Sequence, residues 1–270
     1  MSDPILSRNN VVIEGEGSQT LIFAHGFGFD QRTWRFTQPE LAKNYRTVLF
    51  DHVGSGRSRL STYIPERYAS ASDYARDVLE ICGALDIRDA IFIGHSFSGM
   101  VGAAAAIREP ERFSHLIMIG ANARFINDPP DYEGGFERSD ILDLMALMDR
   151  NIVEWANFLA PVAMGSATDP EFARELTDSF CSAPPSVLRH FAEVVFFGDN
   201  RAMLPQCPAS TLLLQCRDDA FVPASTVEFM QSLIPDCHTR YIEANGHCPH
   251  VSHPRETIDL ISDYLSANRA

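Results

Sequence analysis

The residues best suited to chemistry begin with a serine set among small neighbours. In Ile91-Phe92-Ile93-Gly94-His95-Ser96-Phe97-Ser98-Gly99 an apolar, strand-like run meets a helix-like one, and Ser96 stands at the junction. A turn this sharp demands small residues two positions away. Its strain lifts the hydroxyl clear of the sheet, and the following helix points its positive end at the site. This is the pattern of a nucleophile elbow. The usual form is G-x-S-x-G; here Ser98 holds the last place with Gly99 behind it, and serine is still small. Taken alone, the run also reads as an ordinary helix N-cap, because Ser before a helix is common.

Three further runs change that reading. Thr20 to Ala24 leads into His25-Gly26-Phe27-Gly28, a glycine-freed backbone whose N–H groups can converge on one point. The N–H groups of Phe27 and Phe97 would together form an oxyanion hole, although the same run could be a plain glycine turn. TLLLQC leads into Arg217-Asp218-Asp219-Ala220-Phe221-Val222-Pro223, which places an acid just past a late strand. The spacing to Val222-Pro223 favours Asp219, and Asp218 is the competitor, read as a solvated neighbour. TRYIE leads into Ala244-Asn245-Gly246-His247-Cys248-Pro249-His250. His247 completes the chain order Ser, Asp, His, each residue just past an expected strand.

The chemistry implied is acyl transfer. Ser96 attacks a carbonyl, His247 carries the proton, and Asp219 orients the imidazole. Such a set is self-sufficient, so no cofactor and no metal are expected. His247, His250 and His253 recur every third residue beside Cys248, but Pro249 and Pro254 oppose the regular helix that would align them as ligands. His250 and His253 read as packing or surface residues, and His95 as structural. The loop Asp51 to Ser58 holds a G-x-G but lacks the third glycine of a dinucleotide site; it is expected to pack beside the active site.

These side chains need a frame. Seven short apolar runs are expected as strands: Val11 to Glu14, Thr20 to Ala24, Thr47 to Phe50, Ala90 to Ile93, His115 to Ile119, Thr211 to Gln215 and Thr239 to Glu243. Helical patterns over Ala71 to Leu85, Ser98 to Arg108, Ser225 to Leu233 and Pro254 to Leu265 alternate with them. Alternation of this kind implies crossovers and a mostly parallel sheet. It breaks between about Ala121 and Phe197, where helical segments are punctuated by Pro and Gly. The expected segments are Ser139 to Arg150, Ile152 to Phe158, ATDPEFARELTDSF and PPSVLRHFAEVVFF. Eight of the 18 phenylalanines lie there. The stretch reads as a helical insertion of the kind that makes a lid, with some rings lining an apolar pocket against the core. Trp155 and Phe158, three apart, are expected to share a helix face.

Composition narrows the partners. The 270 residues carry 22 Lys and Arg against 36 Asp and Glu, a net charge of −14, with 45% hydrophobic and 21% charged residues. That is an ordinary globular composition without the clustered cations a nucleic acid requires. The longest soft stretch, Gly99 to Ile107, falls short of the roughly 20 residues a membrane span takes. MSDPILSRNN holds an early acid and no apolar core, so a signal peptide is not expected. Six scattered cysteines without a C-x-x-C pair read as reduced thiols, and a cytoplasmic location is expected.

With these residues in view, the chain resembles the α/β-hydrolase superfamily along essentially its whole length. More narrowly it is similar to the RsbQ group of bacterial stress-signalling regulators, itself related to the plant karrikin and strigolactone receptors. The motifs that carry the likeness are HGFGFDQRTW (His25 to Trp34), FDHVGSGRS (Phe50 to Ser58), GHSFSGM (Gly94 to Met100), NDPPDYEGGFE (Asn127 to Glu137), FLAPVAMG (Phe158 to Gly165) and GHCPHVSHP (Gly246 to Pro254). Ser98 is itself a feature of that group, whose elbow commonly reads G-H-S-x-S. The resemblance implies a mostly parallel twisted sheet flanked by helices, with a four-helix lid inserted after the sixth strand. It implies residues 1–121 as the first part of the core, 122–197 as the lid and 198–270 as the second part of the core. It makes Ser96, Asp219 and His247 the triad and Phe27 and Phe97 the oxyanion donors. It puts Phe136, Trp155, Phe158 and Phe196 on the wall of a hydrophobic pocket. Members hydrolyse small esters, lactones or butenolides, often slowly, and the bacterial regulator works with a PAS-domain phosphatase. Two outputs therefore stand side by side: a serine hydrolase, or a slow-turnover receptor module whose lid binds a partner.

Overall fold

A computed structural model describes residues 3–166 and 168–268. Seven strands form one sheet: β1 (Val12–Glu14), β2 (Thr20–Ala24), β3 (Arg46–Phe50), β4 (Ala90–His95), β5 (Phe113–Ile119), β6 (Ser210–Asp218) and β7 (Cys237–Asn245). Their order is β1-β3-β2-β4-β5-β6-β7. β1 runs antiparallel to β3, and every other pairing is parallel. Every residue of β2 and β4 is buried, as expected of strands covered on both faces. β7, at the margin, alternates between exposed and covered positions over most of its length.

Two layers cover the sheet. One face carries Leu21, Phe23, Ile91, Ile93, Leu212 and Leu214, which pack with Trp34 and with Ile261, Tyr264 and Leu265 of a C-terminal helix. The other face carries Ile22, Val48, Phe92, Leu116 and Leu213. The strict alternation follows from the two-residue period of a strand. The helices are α1 (Pro4–Arg8), α2 (Gln38–Leu41), α3 (Ala71–Ala84), α4 (Phe97–Arg108), α5 (Arg138–Arg150), α6 (Ile152–Met164), α7 (Pro170–Ser182), α8 (Pro185–Phe197), α9 (Ala224–Leu233), α10 (Pro249–Ser252) and α11 (Pro254–Ala267).

Between β5 and β6 stand the four helices α5 to α8. The expectation of an insertion after a sixth strand is corrected: β1 alone makes the antiparallel margin, so the insertion leaves from the fifth strand of seven. Local signals set these helices. Asn151 caps α6, its side-chain oxygen accepting the N–H groups of Val153 and Glu154, each at 3.2 Å. Two prolines, Pro184 and Pro185, open α8, where a missing N–H costs nothing. α6 continues six residues past the expected Phe158, through Pro161 to Met164. Ala167, which opened the expected third helix, lies outside the described residues; the helix itself begins at Pro170 behind the cap Asp169. Among the described residues no helix is long and apolar enough to cross a membrane. All six cysteines are unpaired.

Candidate active site

β4 ends at His95 and α4 begins at Phe97, so a single residue turns the corner. That residue, Ser96, is held at φ 54° and ψ −122°, a conformation that costs a non-glycine residue of the order of 1–3 kcal/mol. The surroundings enforce it. The Ser96 N–H donates to the carbonyl of Ile119 at the end of β5, 2.7 Å away. A Cβ on Gly94 would sit 2.5 Å from the Ser98 carbonyl oxygen, so only glycine lets the helix fold back this closely. Phe97 is the first residue of α4, and its N–H is one of the donors a helix start leaves without an internal partner.

The three polar side chains singled out in the sequence meet at this corner. Ser96 Oγ lies 2.8 Å from His247 Nε2. His247 Nδ1 lies 2.8 Å from Asp219 Oδ2. The carboxylate accepts a hydrogen bond from Nδ1–H, which keeps the ring proton there and leaves Nε2 free to accept from the serine hydroxyl. The Asp219 side chain is fully buried and has two further donors, the Gln215 side-chain amide at 2.8 Å and the Phe221 N–H at 2.9 Å. Gln215 was missed by sequence reasoning; a polar residue in an otherwise apolar strand end was the available signal. Asp218 faces solvent but is not merely solvated: its carboxylate accepts from the Asn245 amide and its carbonyl from the Gly246 N–H.

Behind the triad lies a nest of imidazoles. His95 Nε2 meets the His247 carbonyl at 3.0 Å, and its ring packs 4.4 Å from that of His250. His250 bonds Thr33 Oγ1 at 2.8 Å and lies against Trp34, 4.5 Å between rings. Burial pushes the pKa of His250 down to about 3 and those of His95 and His52 well below the ordinary histidine value. They are neutral packing groups, as expected for His95 and His250. The neighbours of His253 are different, its Nδ1 resting on Ser252. The loop Asp51 to Ser58 packs beside this nest, with the His52 N–H donating to His25 Nε2 at 3.1 Å.

Above Ser96 is a cavity of about 40 Å³, lined by Phe27, Phe125, Leu159, Phe180, Phe196 and Phe221 among others. Three of these rings, Phe125, Phe180 and Phe196, come from the 121–197 stretch. Beyond Leu159, Phe196 and Phe221 opens a second, apolar hollow of about 400 Å³, with Phe136, Leu144, Phe158 and Val162 on its walls. Of the four residues expected on the pocket wall, Phe196 borders both spaces, while Phe136 and Phe158 border only the outer one. Trp155 is corrected: it is 0% exposed and sits behind the wall, packed against Phe27 and Phe180. Nor do Trp155 and Phe158 share an environment, since Phe158 is 58% exposed. The i, i+3 offset leaves one at the centre of the buried stripe of α6 and the other past its edge. Leu159 and Phe221 were missed; Phe221 follows Asp219 by two residues, and only the fold aims its ring at the cavity.

Residues 21–260 of the sequence match the family described as "Alpha/beta hydrolase family". The chain belongs to that family. It is 36% identical over 255 residues to the strigolactone esterase RMS3 of Pisum sativum, covering 94% of this chain and 95% of that protein. It is 35% identical over 257 residues to the Karrikin insensitive 2 receptor IA of Petunia hybrida, covering 95% and 93%. A solved hydrolase from Oleispira antarctica superposes with a TM-score of 0.96 at 40% identity, covering 98% of this chain and 97% of that one.

Proposed function

We propose that this hydrolase cleaves small apolar esters, lactones or butenolide-type compounds through an acyl-enzyme on Ser96. The observation that carries the reading is the unbroken line from Ser96 Oγ through His247 to the buried Asp219, at 2.8 Å for each link. The names of its relatives, an esterase and a receptor for a small molecule, support a small ligand. In the reaction, Ser96 Oγ bonds to the substrate carbonyl carbon as His247 Nε2 takes the hydroxyl proton. The N–H groups of Phe27 and Phe97 receive the developing oxyanion, each donor worth about 3–4 kcal/mol. The tetrahedral species then collapses, and His247 returns its proton to the departing alcohol. Water repeats the sequence in reverse and frees the acid. Asp219 keeps the imidazole in the competent tautomer throughout. Residues 122–197 act as the lid that excludes bulk water. The test is Ser96→Ala, assayed with p-nitrophenyl esters of rising acyl length and a butenolide probe, and labelled with a sulfonyl fluoride. Turnover and labelling should vanish while the fold stays intact; unchanged labelling removes Ser96 from the mechanism.

A second reading has its own support. The lid helices expose Leu142, Val153, Phe158 and Val162, apolar side chains a partner could cover. The chain would then act as a slow receptor of the RsbQ type in the cytoplasm, passing lid conformation to a PAS-domain phosphatase. Ligand-dependent binding to such a phosphatase would favour it; fast turnover of a natural ester would favour the enzyme.

A further inference from the structure

The serine that replaces glycine at the end of the elbow is not idle. Ser98 is fully buried. Its hydroxyl donates to the His25 carbonyl at 2.5 Å and lies 2.7 Å from His52 Nε2. Because the serine proton is committed to the carbonyl, His52 must donate from Nε2, which fixes its tautomer. The His52 N–H in turn donates to His25 Nε2 at 3.1 Å, leaving the His25 proton on Nδ1, which meets the Gly26 carbonyl at 2.8 Å. The ring of bonds is closed, and every step in it has a donor and an acceptor.

The two ends of this ring matter. Ser98 follows Phe97, and His25 precedes Phe27 by two residues. The two proposed oxyanion donors thus sit on separate segments, one opening a helix and one in a glycine-rich loop. The Ser98 hydroxyl is a direct side-chain tie between those segments. A glycine or alanine here would satisfy the turn but leave the buried His25 carbonyl and His52 Nε2 without this partner.

We infer that Ser98 is a positioning residue that holds the Phe27 and Phe97 N–H groups at the spacing required by a tetrahedral intermediate. The inference rests on the hydrolytic reading above. It goes beyond it by assigning a task to a residue outside the triad, and it accounts for serine at a place where glycine is usual.

The test compares wild type, Ser98→Ala and Ser98→Cys. The cysteine variant is nearly isosteric but a poor donor, so it leaves no hole even where alanine disturbs folding. Each is assayed on p-nitrophenyl acetate for kcat and KM, titrated with an alkyl boronic acid that mimics the tetrahedral species, and melted thermally. Misplacing donors should forfeit part of the 100- to 1,000-fold that losing one costs. Both variants are therefore expected to lose about 10- to 100-fold in kcat with KM within about twofold, and boronate affinity should fall in parallel with kcat. A role confined to packing would lower the melting temperature and leave kcat and boronate affinity of the folded protein unchanged. That result, in the cysteine variant alone if alanine does not fold, overturns the inference while wild-type turnover upholds the hydrolytic reading. A wild-type chain that neither turns over the ester nor takes a sulfonyl fluoride removes both.

Discussion

The main-chain N–H of His247 donates to the carbonyl of Ala163 at 2.7 Å. Ala163 lies in the last turn of α6, where carbonyls lack helical partners, so the imidazole-bearing loop hangs from the end of an inserted helix. Asn245 strengthens the joint: its amide oxygen accepts the Ser166 N–H at 2.9 Å, and its nitrogen reaches the Asp218 carboxylate. Insertion and catalytic loop are therefore mechanically one piece at this point.

Asn245→Ala should loosen that joint. The expected outcome is a stability loss of about 1 kcal/mol, the worth of an ordinary hydrogen bond. A several-fold fall in kcat should accompany it, with KM little changed. Thermal melting and steady-state kinetics on a short ester check both.

The two neighbouring acids separate cleanly. Asp219→Asn should lower kcat by about 10⁴, the cost of a mis-set imidazole tautomer in a comparable triad. Asp218→Asn keeps an acceptor for Asn245 and should change kcat by less than about twofold. The reverse ranking would reassign the acid.

The cavity at Ser96 is about 40 Å³, against about 400 Å³ for the outer hollow. Short acyl groups should react fastest. Phe196 stands between this space and the outer hollow. Phe196→Ala should join the two and move the chain-length optimum toward longer acyl groups, at a stability cost of about 3–5 kcal/mol. Relative kcat/KM across acetyl to octanoyl p-nitrophenyl esters reads the shift; an unmoved optimum places the chain-length limit elsewhere.

Acid should unfold the protein through its neutral histidines. His250 has its pKa pushed down to about 3, and His95 and His52 also lie well below the usual value, all chiefly by burial. The unfolded chain binds protons near pH 6.5 that these folded sites refuse. Their contribution is thus intact above about pH 6.5 and is lost progressively as pH falls below it, for His250 until pH nears about 3. Melting temperature should fall steeply below neutrality. His250→Gln should make that slope shallower, and an unchanged slope would exonerate His250.

The sheet and the catalytic corner were legible in the residues. Fully covered strands are apolar without interruption, as in Thr20 to Ala24, and helices and elbows carry their own caps, glycines and small residues. Such signals are local, so they survive in one dimension. The acid and base could be named because each stands immediately past a strand, and a parallel sheet brings its strand ends to one edge. The count of strands before the insertion was legible too, since five apolar runs precede Ala121 and five strands form there; only the family resemblance had suggested a sixth.

What lay beyond the sequence is whatever depends on two distant segments meeting. No spacing rule distinguishes Trp155, sealed behind Phe27, from Phe158, turned to solvent three residues on. Their helix is apolar on more than one side, and only the neighbours decide which face is covered. The same holds for the Ser98 hydroxyl on the His25 carbonyl, 73 residues away in the chain, and for the His247 loop on Ala163. Residue type declared the chemistry; the packing of the insertion against the sheet decided the room left for a substrate and which atoms hold the reacting groups still.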